Sequence, residues 1–391
     1  MLNIRLIHKN EKGMVLPLVL MFLAIIAILG TTAVIVTTTD LKIGSNYKAS
    51  QQAFYVAEAG IQHAVNVLRA GSSNGFDDEL LGSDGSSGTS DDGILSFGSS
   101  ISFGDGTYAV QVTDNDDGDS NMFSDSDRKV LITSIGTIDN ASKTIEAIYY
   151  YQEVDVDGAL GIYGDNPTVG LSGASEIDGR DYNVPPDFIC SGSGCTATLA
   201  GGALAEPGIY AEEAITSVGL ITDETDNKQN IFGDPPIKED GSGVGSVSYW
   251  QNFANSFTPD LTVDSATEGT ITENIFGSRD NPQITMITDS AGTGTHLSGT
   301  IDGAGILVVN GDLQITGTFH FEGLIIVMSG GDLVVTGTGR SITYGSVVVA
   351  GSGASSEVDY GGHASIRYSS QALSYAADTL SGLSSWREKA N

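Results

Sequence analysis

The feature that most constrains this chain is an uncharged apolar run from Met14 to Val36. As a helix, these 23 residues would span about 30 Å, the thickness of the hydrocarbon core of a bilayer. Arg5, Lys9 and Lys12 precede the run, and basic residues favour the cytoplasmic side of a membrane. The sequence therefore predicts a helix that crosses the inner membrane and sends the rest of the chain outward.

The helical pattern continues beyond the apolar run. Tyr47, Phe54, Ile61 and Leu68 recur every seven positions, which places them on one face of a helix. A single helix over 14–70 would be about 85 Å long, far longer than most helices of globular proteins. We therefore predict one continuous helix, whose upper part packs against a folded domain.

Two short motifs in this helix resemble those of a known family. The segment Lys12-Gly13-Met14-Val15-Leu16-Pro17, with the apolar helix after it, looks like a class III prepilin signal. The stretch QQAFYVAEAG over 51–60 is similar to the N-terminal domain of PilX-type minor pilins. The resemblance implies that a prepilin peptidase removes residues 1–13 by cleaving between Gly13 and Met14, and then methylates the new amino terminus.

Leu18 departs from the pattern of the major pilins, which carry a glutamate as the fifth residue after cleavage. A carboxylate buried among apolar helices needs a partner, commonly thought to be the terminal amine of the neighbouring subunit, and Leu18 cannot form that pair. This favours a minor, tip or priming subunit, while an ordinary lipid-facing residue of a membrane-anchored domain is the alternative. The residues assigned to the assembly helix are Leu18, Phe54, Tyr55, Glu58 and Ile61.

The region 71–157 is predicted to form a small antiparallel sheet that packs against the upper part of the helix. Polar and apolar residues alternate over 106–112, 130–135 and 143–150. This alternation is typical of strands with one buried face.

An acidic loop separates the first two of these strands. Carboxylates at this density are ligands that Ca²⁺ prefers, but the spacing is not that of an EF-hand because no bidentate glutamate follows the glycine at the required distance. Calcium as a cofactor and a solvated acidic loop therefore stay as alternatives. The candidate ligands are Asp114, Asp116, Asp119, Asp125 and Asp127.

Short apolar strands separated by Gly, Asn or Asp dominate the C-terminal half. The pattern Gly-Asp-Leu with a closing Gly over 311–317 recurs 20 residues later over 331–337. Such repeats predict a parallel β-helix whose rungs stack apolar side chains inward, and they look like the solenoid heads of many PilX-N-domain proteins. A β-sandwich head is the alternative. The solenoid is predicted over 158–369, with an insertion over about 185–300 and a C-terminal cap over 370–391.

The fold class is accordingly α+β to mostly β, with a long N-terminal helix, a small antiparallel sheet and a parallel β-solenoid.

Cys190 and Cys195 are separated by Ser-Gly-Ser-Gly, a flexible spacer that lets two sulfurs meet in an oxidising compartment. A disulfide is the preferred interpretation. Free thiols or half of a metal site are the alternatives, although no second cysteine pair and no nearby histidine completes a zinc shell.

Charge and motif content narrow the functional class. The chain carries 17 Lys and Arg against 49 Asp and Glu, a net charge of −32, which removes the electrostatic basis for nucleic-acid binding. Some β-helices are enzymes, and the candidate group here is Glu176, Asp178, Arg180 and Asp181. Its Asp-Gly-Arg-Asp sequence is more typical of a turn with an exposed ion pair, so no enzyme is predicted.

The resemblance implies a minor pilin-like structural subunit that acts in assembly, priming or at the tip of a type IV pilus. Its expected partners are other major and minor pilins, the inner membrane, the prepilin peptidase and a tip adhesin, with the assembled protein at the cell surface. Two alternatives stay open: a pseudopilin of a type II secretion system, and a membrane-tethered β-helix that binds polysaccharide as an adhesin.

Overall fold

The chain folds into one long helix, a five-stranded antiparallel sheet and a large parallel β-solenoid. This architecture is that of a computed structural model. It confirms the predicted fold class, and the central rungs pair in parallel rather than forming the alternative β-sandwich. The structure describes residues 15–71, 75–115, 118, 121–187, 197–201, 205–213, 230–241, 243–272, 275–336, 339–351 and 356–389.

The helices of the described residues are α1 (Val15–Gly71), α2 (Asp77–Leu81), α3 (Val247–Asn255), α4 (Ser265–Glu268) and α5 (Ser370–Leu380), with a 3₁₀ turn at Gly82–Asp84. The strands are β1 (Ile101–Phe103), β2 (Gly106–Asp114), β3 (Lys129–Ile138), β4 (Ala141–Tyr150), β5 (Leu160–Tyr163), β6 (Thr168–Leu171), β7 (Glu176–Asp178), β8 (Tyr182–Asn183), β9 (Thr198–Leu199), β10 (Ile209–Ala211), β11 (Ile231–Phe232), β12 (Ile237–Glu239), β13 (Leu261–Asp264), β14 (Thr270–Ile271), β15 (Gln283–Thr288), β16 (Thr295–Asn310), β17 (Leu313–Ser329), β18 (Leu333–Thr336), β19 (Arg340–Gly351), β20 (Glu357–Tyr360), β21 (His363–Arg367) and β22 (Gly382–Lys389).

The antiparallel sheet has the order β1-β2-β3-β4-β22. Strands β2, β3 and β4 are the predicted ones, and their alternating burial places one face against α1. The fifth strand, β22, comes from the C-terminus and pairs with β4. The whole solenoid is therefore inserted between two neighbouring strands of this sheet.

The central rungs of the solenoid stack in parallel and in register. Leu313 pairs with Leu333, which is the predicted step of 20 residues, while Thr295 pairs with Leu313 at a step of 18. Inside the solenoid, Leu307, Ile325 and Val347 lie one above the other and are almost fully buried. This apolar column removes its side chains from water in the three central rungs.

The rungs do not follow the order of the chain. Strand β5, the first after the antiparallel sheet, pairs with β19, which is close to the end of the solenoid, and β10 then pairs with β5. The first rung that the chain forms therefore stacks on the last rung.

Two stretches differ from the sequence prediction. The stretch 185–300 was expected to decorate the solenoid as an insertion, but it contributes the rung strands β10, β12, β13 and β15. The stretch 370–391 was expected to form a cap, but α5 packs against the flank made by β16, β17 and β19, and β22 joins the antiparallel sheet. The physical reason is the same in both cases, because short strands with distant partners leave no local repeat in the sequence.

Three glycines mark the corner of successive rungs. Gly305, Gly323 and Gly345 pair in register and all adopt positive φ. A Cβ on Gly323 would lie 2.0 Å from the carbonyl oxygen of Gly305. Only glycine permits both the backbone conformation and the close approach of the rungs.

Candidate functional site: the N-terminal helix and its seat

The first half of α1 has no contact that buries it. Leu18 is 54% exposed and Leu29 63%, and the helix is long and apolar enough to cross a membrane by length and composition. Exposing this surface to water would be strongly unfavourable, and a surface of this kind is suited to lipid or to other apolar helices. Leu18, assigned from the sequence to assembly, lies on this surface.

The hydroxyl groups of threonines in the exposed half of α1 donate hydrogen bonds to backbone carbonyls of the same helix. Thr32 donates to the carbonyl oxygen of Ile28 at 2.8 Å, and Thr37 donates to that of Ala33 at 2.9 Å. Because each donor finds a partner one helical turn back, these residues add no unpaired hydroxyl to an apolar environment.

The second half of α1 packs on the antiparallel sheet through small residues, and we call this contact the seat of the helix. A Cβ on Gly60 would lie 2.2 Å from Ser134 Oγ, and one on Gly136 would lie 2.1 Å from the carbonyl oxygen of Ala53. Gly136 of β3 therefore lies directly against the backbone of the helix, and Gly60 of the helix lies against the Ser134 side chain of β3. The buried residues of the helix are Ala53, Val56, Ala57, Ile61, Ala64, Val65 and Leu68.

This packing gives the AEAG stretch of the sequence a physical meaning. Ala57 and Gly60 are the residues that let the helix approach the sheet, and Glu58 between them is only partly buried. Ile61 is fully buried, as the periodicity predicted, whereas Tyr47 is 68% exposed because it lies before the sheet begins.

Phe54 and Tyr55 lie near the N-terminal end of the part of α1 that packs on the sheet. Phe54 packs edge-on against Trp386 of β22, with 5.6 Å between ring centroids. Tyr55 is 60% exposed. The sequence predicted these helix residues but not Trp386, whose strand lies at the other end of the chain.

Strand β22 is held by an ion cluster on Glu146 of β4. Arg387 Nη2 and Lys389 Nζ each lie 2.6 Å from the Glu146 carboxylate. Hydrogen bonds from Lys389 and Arg387 hold the pKa of Glu146 below its ordinary value of 4.5. The C-terminal strand is therefore attached by charge as well as by backbone pairing.

The top of α1 also contacts the solenoid side of the molecule. Arg69 Nε lies 3.5 Å from the carboxylate of Asp378 in α5. Burial raises the pKa of Asp378, and burial raises that of nearby Tyr149 to about 12. The end of the helix, the sheet and α5 thus meet in one partly desolvated contact.

The acidic loop is only partly described. Asp125 accepts backbone hydrogen bonds from Phe76 at 3.1 Å and from Lys129 at 3.2 Å, and Asp127 pairs with the Lys129 ammonium at 2.7 Å. Asp114 ends β2. Among the described residues no group of His, Cys, Asp or Glu is arranged to hold a metal. Asp116 and Asp119 lie outside the described residues, so calcium binding stays a prediction.

Other predicted site residues also fall outside the described ranges: Gly13 and Met14 of the cleavage site, and Cys190 and Cys195 of the disulfide. The candidate catalytic group is described. Asp178 is fully buried and receives hydrogen bonds from Arg180 and from the hydroxyl of Tyr182. Burial acts to raise the pKa of Asp178, but these bonds hold it below its ordinary value. This carboxylate acts as a structural ion-pair partner at the rung.

Sequence reasoning missed the sheet side of the helix seat. Ser134 and Gly136 are alternate residues of β3 on the face that meets α1, and their small size mirrors that of Ala57 and Gly60. Two small residues at alternate positions in an otherwise β-branched strand were a signal that could have identified them.

We expect Gly60→Val to lower the free energy of unfolding by about 1–3 kcal/mol, because the added atoms meet β3. Gly44→Val is the matched control, since a Cβ on Gly44 has no atom within 4 Å. Denaturant unfolding of the full chain in detergent measures both variants. Equal stability of the two variants would contradict the close contact.

Acid should release β22. Because the native pKa of Glu146 is lowered, its contribution to stability is complete above pH 4.5 and is lost as the pH falls through the lower native value. Hydrogen exchange should therefore show β22 opening at acid pH in the wild type and already at neutral pH in Glu146→Gln. Glu388→Gln is the matched control: its side chain is 41% exposed against 5% for Glu146, so it should open β22 much less than Glu146→Gln does. Unchanged protection in Glu146→Gln would refute this assignment.

Comparisons with known proteins agree with this arrangement. The family model described as PilX N-terminal matches residues 12–62, which cover the apolar half of α1 and the seat as far as Ile61. No curated protein matches the sequence. The crystal structure of the competence-associated pilin ComZ from Thermus thermophilus is similar at 13% identity and a TM-score of 0.23, over 88% of this chain and 98% of that one. A TM-score of this size does not establish a shared fold.

The family model therefore covers the exposed apolar half of α1 and most of the residues through which the helix packs on the sheet. Residues 12–62 match the PilX N-terminal family model, and the long apolar N-terminal helix fits that of a pilin.

Proposed function

We propose that this protein is a minor pilin that acts in the assembly, priming or tip of a type IV pilus. The observation that carries the proposal is α1 itself. Its first half exposes an apolar surface, and its second half is locked to the head through Ala57, Gly60 and Gly136. A helix of this kind can transfer from lipid into a bundle of similar helices while its head stays outside.

Leu18 supports a minor role. It is an apolar residue on the exposed surface of α1, at the position where a carboxylate would pair with the amine of a neighbouring subunit in a major pilin. Without that carboxylate, the contact with a neighbour depends on apolar packing alone. Such a subunit suits a place where it need not be added onto another copy, as at the tip or in the priming complex.

The size of the head supports the same conclusion. The solenoid is inserted between β4 and β22 of the antiparallel sheet, so a head much larger than that sheet stands on a single helix. Repeating such a head along a shaft would require room around every subunit. A terminal position requires room only once.

Processing by a prepilin peptidase is part of this proposal. We expect co-expression with the peptidase to yield a protein that lacks residues 1–13 and begins with methylated Met14. Gly13→Leu should block cleavage, while Asn10→Ala, also in the leader, should leave it unchanged. Intact-mass measurement distinguishes these outcomes. Persistence of Met1 in the wild-type protein, or cleavage after the apolar run, would overturn the pilin pathway.

A further inference from the structure

A groove on the outer face of the solenoid gathers several of the few basic residues of this chain. It has a volume of about 360 Å³, within the lower range of small-ligand sites. Its position is set by the register of strands β19, β21 and β7. It is lined by Ala174, Glu176, Arg340, His363, Ser365 and Arg367.

The strand register fixes the arrangement of these side chains. Arg340 lies directly opposite His363, and Ser365 lies directly opposite Glu176, so neighbouring side chains are about 4.8 Å apart along the stack. The alternate residues Ser341 and Ala364 are buried, which directs Arg340 and His363 outward. A rigid sheet therefore presents them without any loop having to close.

Arg367 is held in place from two sides. Its Nε lies 3.2 Å from the carboxylate of Glu176, and its guanidinium lies 5.1 Å from the ring centroid of Tyr182. The Arg367 side chain is only 19% exposed. Such pre-positioning lowers the entropy lost when a ligand binds.

Arg340 is different, because no described carboxylate forms an ion pair with it. The same holds for His363 among the described residues. In a chain of net charge −32, carboxylates are abundant, yet this groove holds two arginines and a histidine against the single carboxylate of Glu176. The local balance is therefore opposite in sign to that of the whole protein.

We propose that this groove binds the carboxylate of an acidic sugar, with Arg340 and Arg367 holding the carboxylate and Glu176 and Ser365 holding ring hydroxyls. A guanidinium donates paired hydrogen bonds that match the geometry of a carboxylate. Glu176 can only accept hydrogen bonds when ionised, so it selects a ligand that carries hydroxyl donors beside its acidic group.

The same carboxylate favours a singly charged ligand over a phosphate ester. Glu176 contacts Arg367 and would repel a dianion placed between the two arginines more strongly than a monoanion. A simple inorganic anion would leave Glu176 and Ser365 without a role. Both arguments point to a uronic acid, free or as a unit of a polysaccharide.

The test uses full-length protein in detergent and three sugars that differ at one carbon: glucuronic acid, glucose and glucose 6-phosphate. Calorimetric titration should show binding of glucuronic acid and at least about tenfold weaker binding of the other two, since a charged hydrogen-bonded contact is lost or opposed. Equal or tighter binding of glucose 6-phosphate, or no binding of glucuronic acid, overturns the proposal.

Variants locate the binding in this groove. Arg340→Gln should weaken glucuronic acid binding by about tenfold or more. Because Arg340 is exposed, the variant should keep the melting temperature of the wild type, so that the weaker binding reports on the groove and not on the fold. Lys238→Gln is the control, because it removes one charge from an exposed pair with Asp240 on another strand. If both variants bind like wild type, the groove is not the site.

A glucuronic acid oligosaccharide identifies the source of the ligand. Tighter binding of the oligosaccharide than of the monosaccharide indicates a polysaccharide, and equal affinity indicates the free sugar; either result supports the site. This proposal does not depend on filament assembly. A processed, filament-associated protein that fails to bind glucuronic acid would refute the groove and leave the pilin role intact.

Discussion

The close contact between α1 and β3 governs how this molecule is built. Gly136 brings the strand to the backbone of the helix, and Gly60 leaves room for the Ser134 side chain. The helix continues from that seat into a half that no described part of the head covers. Small residues are required because any side chain at either glycine would separate the two elements.

The sheet is in turn where both ends of the solenoid join the rest of the chain. The chain leaves it after β4 and returns as β22, so the two ends of a large inserted domain are neighbouring strands. Glu146, Arg387 and Lys389 secure the returning strand, and Trp386 connects it to Phe54 of the helix. Strand β5, at the start of the inserted domain, also pairs with β19 near its end, so the two ends of the domain lie side by side. The head is therefore one mechanical unit with the helix that anchors it.

Local patterns allowed much of this to be predicted from the sequence. The helix, the strands β2 to β4 and the step of 20 residues at Leu313 all follow from periodicity in adjacent residues. Ile61 was recognised for the same reason, whereas Leu18 was singled out by the resemblance to prepilins. The role of Trp386 was not recognised, because β22 pairs with a strand separated from it by the entire solenoid. The rung strands β10 to β13 are only two to four residues long, too short for an alternation to be recognised. The groove at Arg340 depends on register between distant strands, which composition does not reveal.

The central claim is that the exposed half of α1 packs among the helices of other pilins. A photo-crosslinking residue at Leu29, which is 63% exposed, tests it most directly in cells that assemble filaments, with Arg128 in the head as a control position. The account predicts crosslinks from position 29 to the helices of other pilins, in a sheared filament fraction where this protein is scarce relative to the major pilin. Recovery of the protein only in membranes, without crosslinks to any pilin, would contradict it.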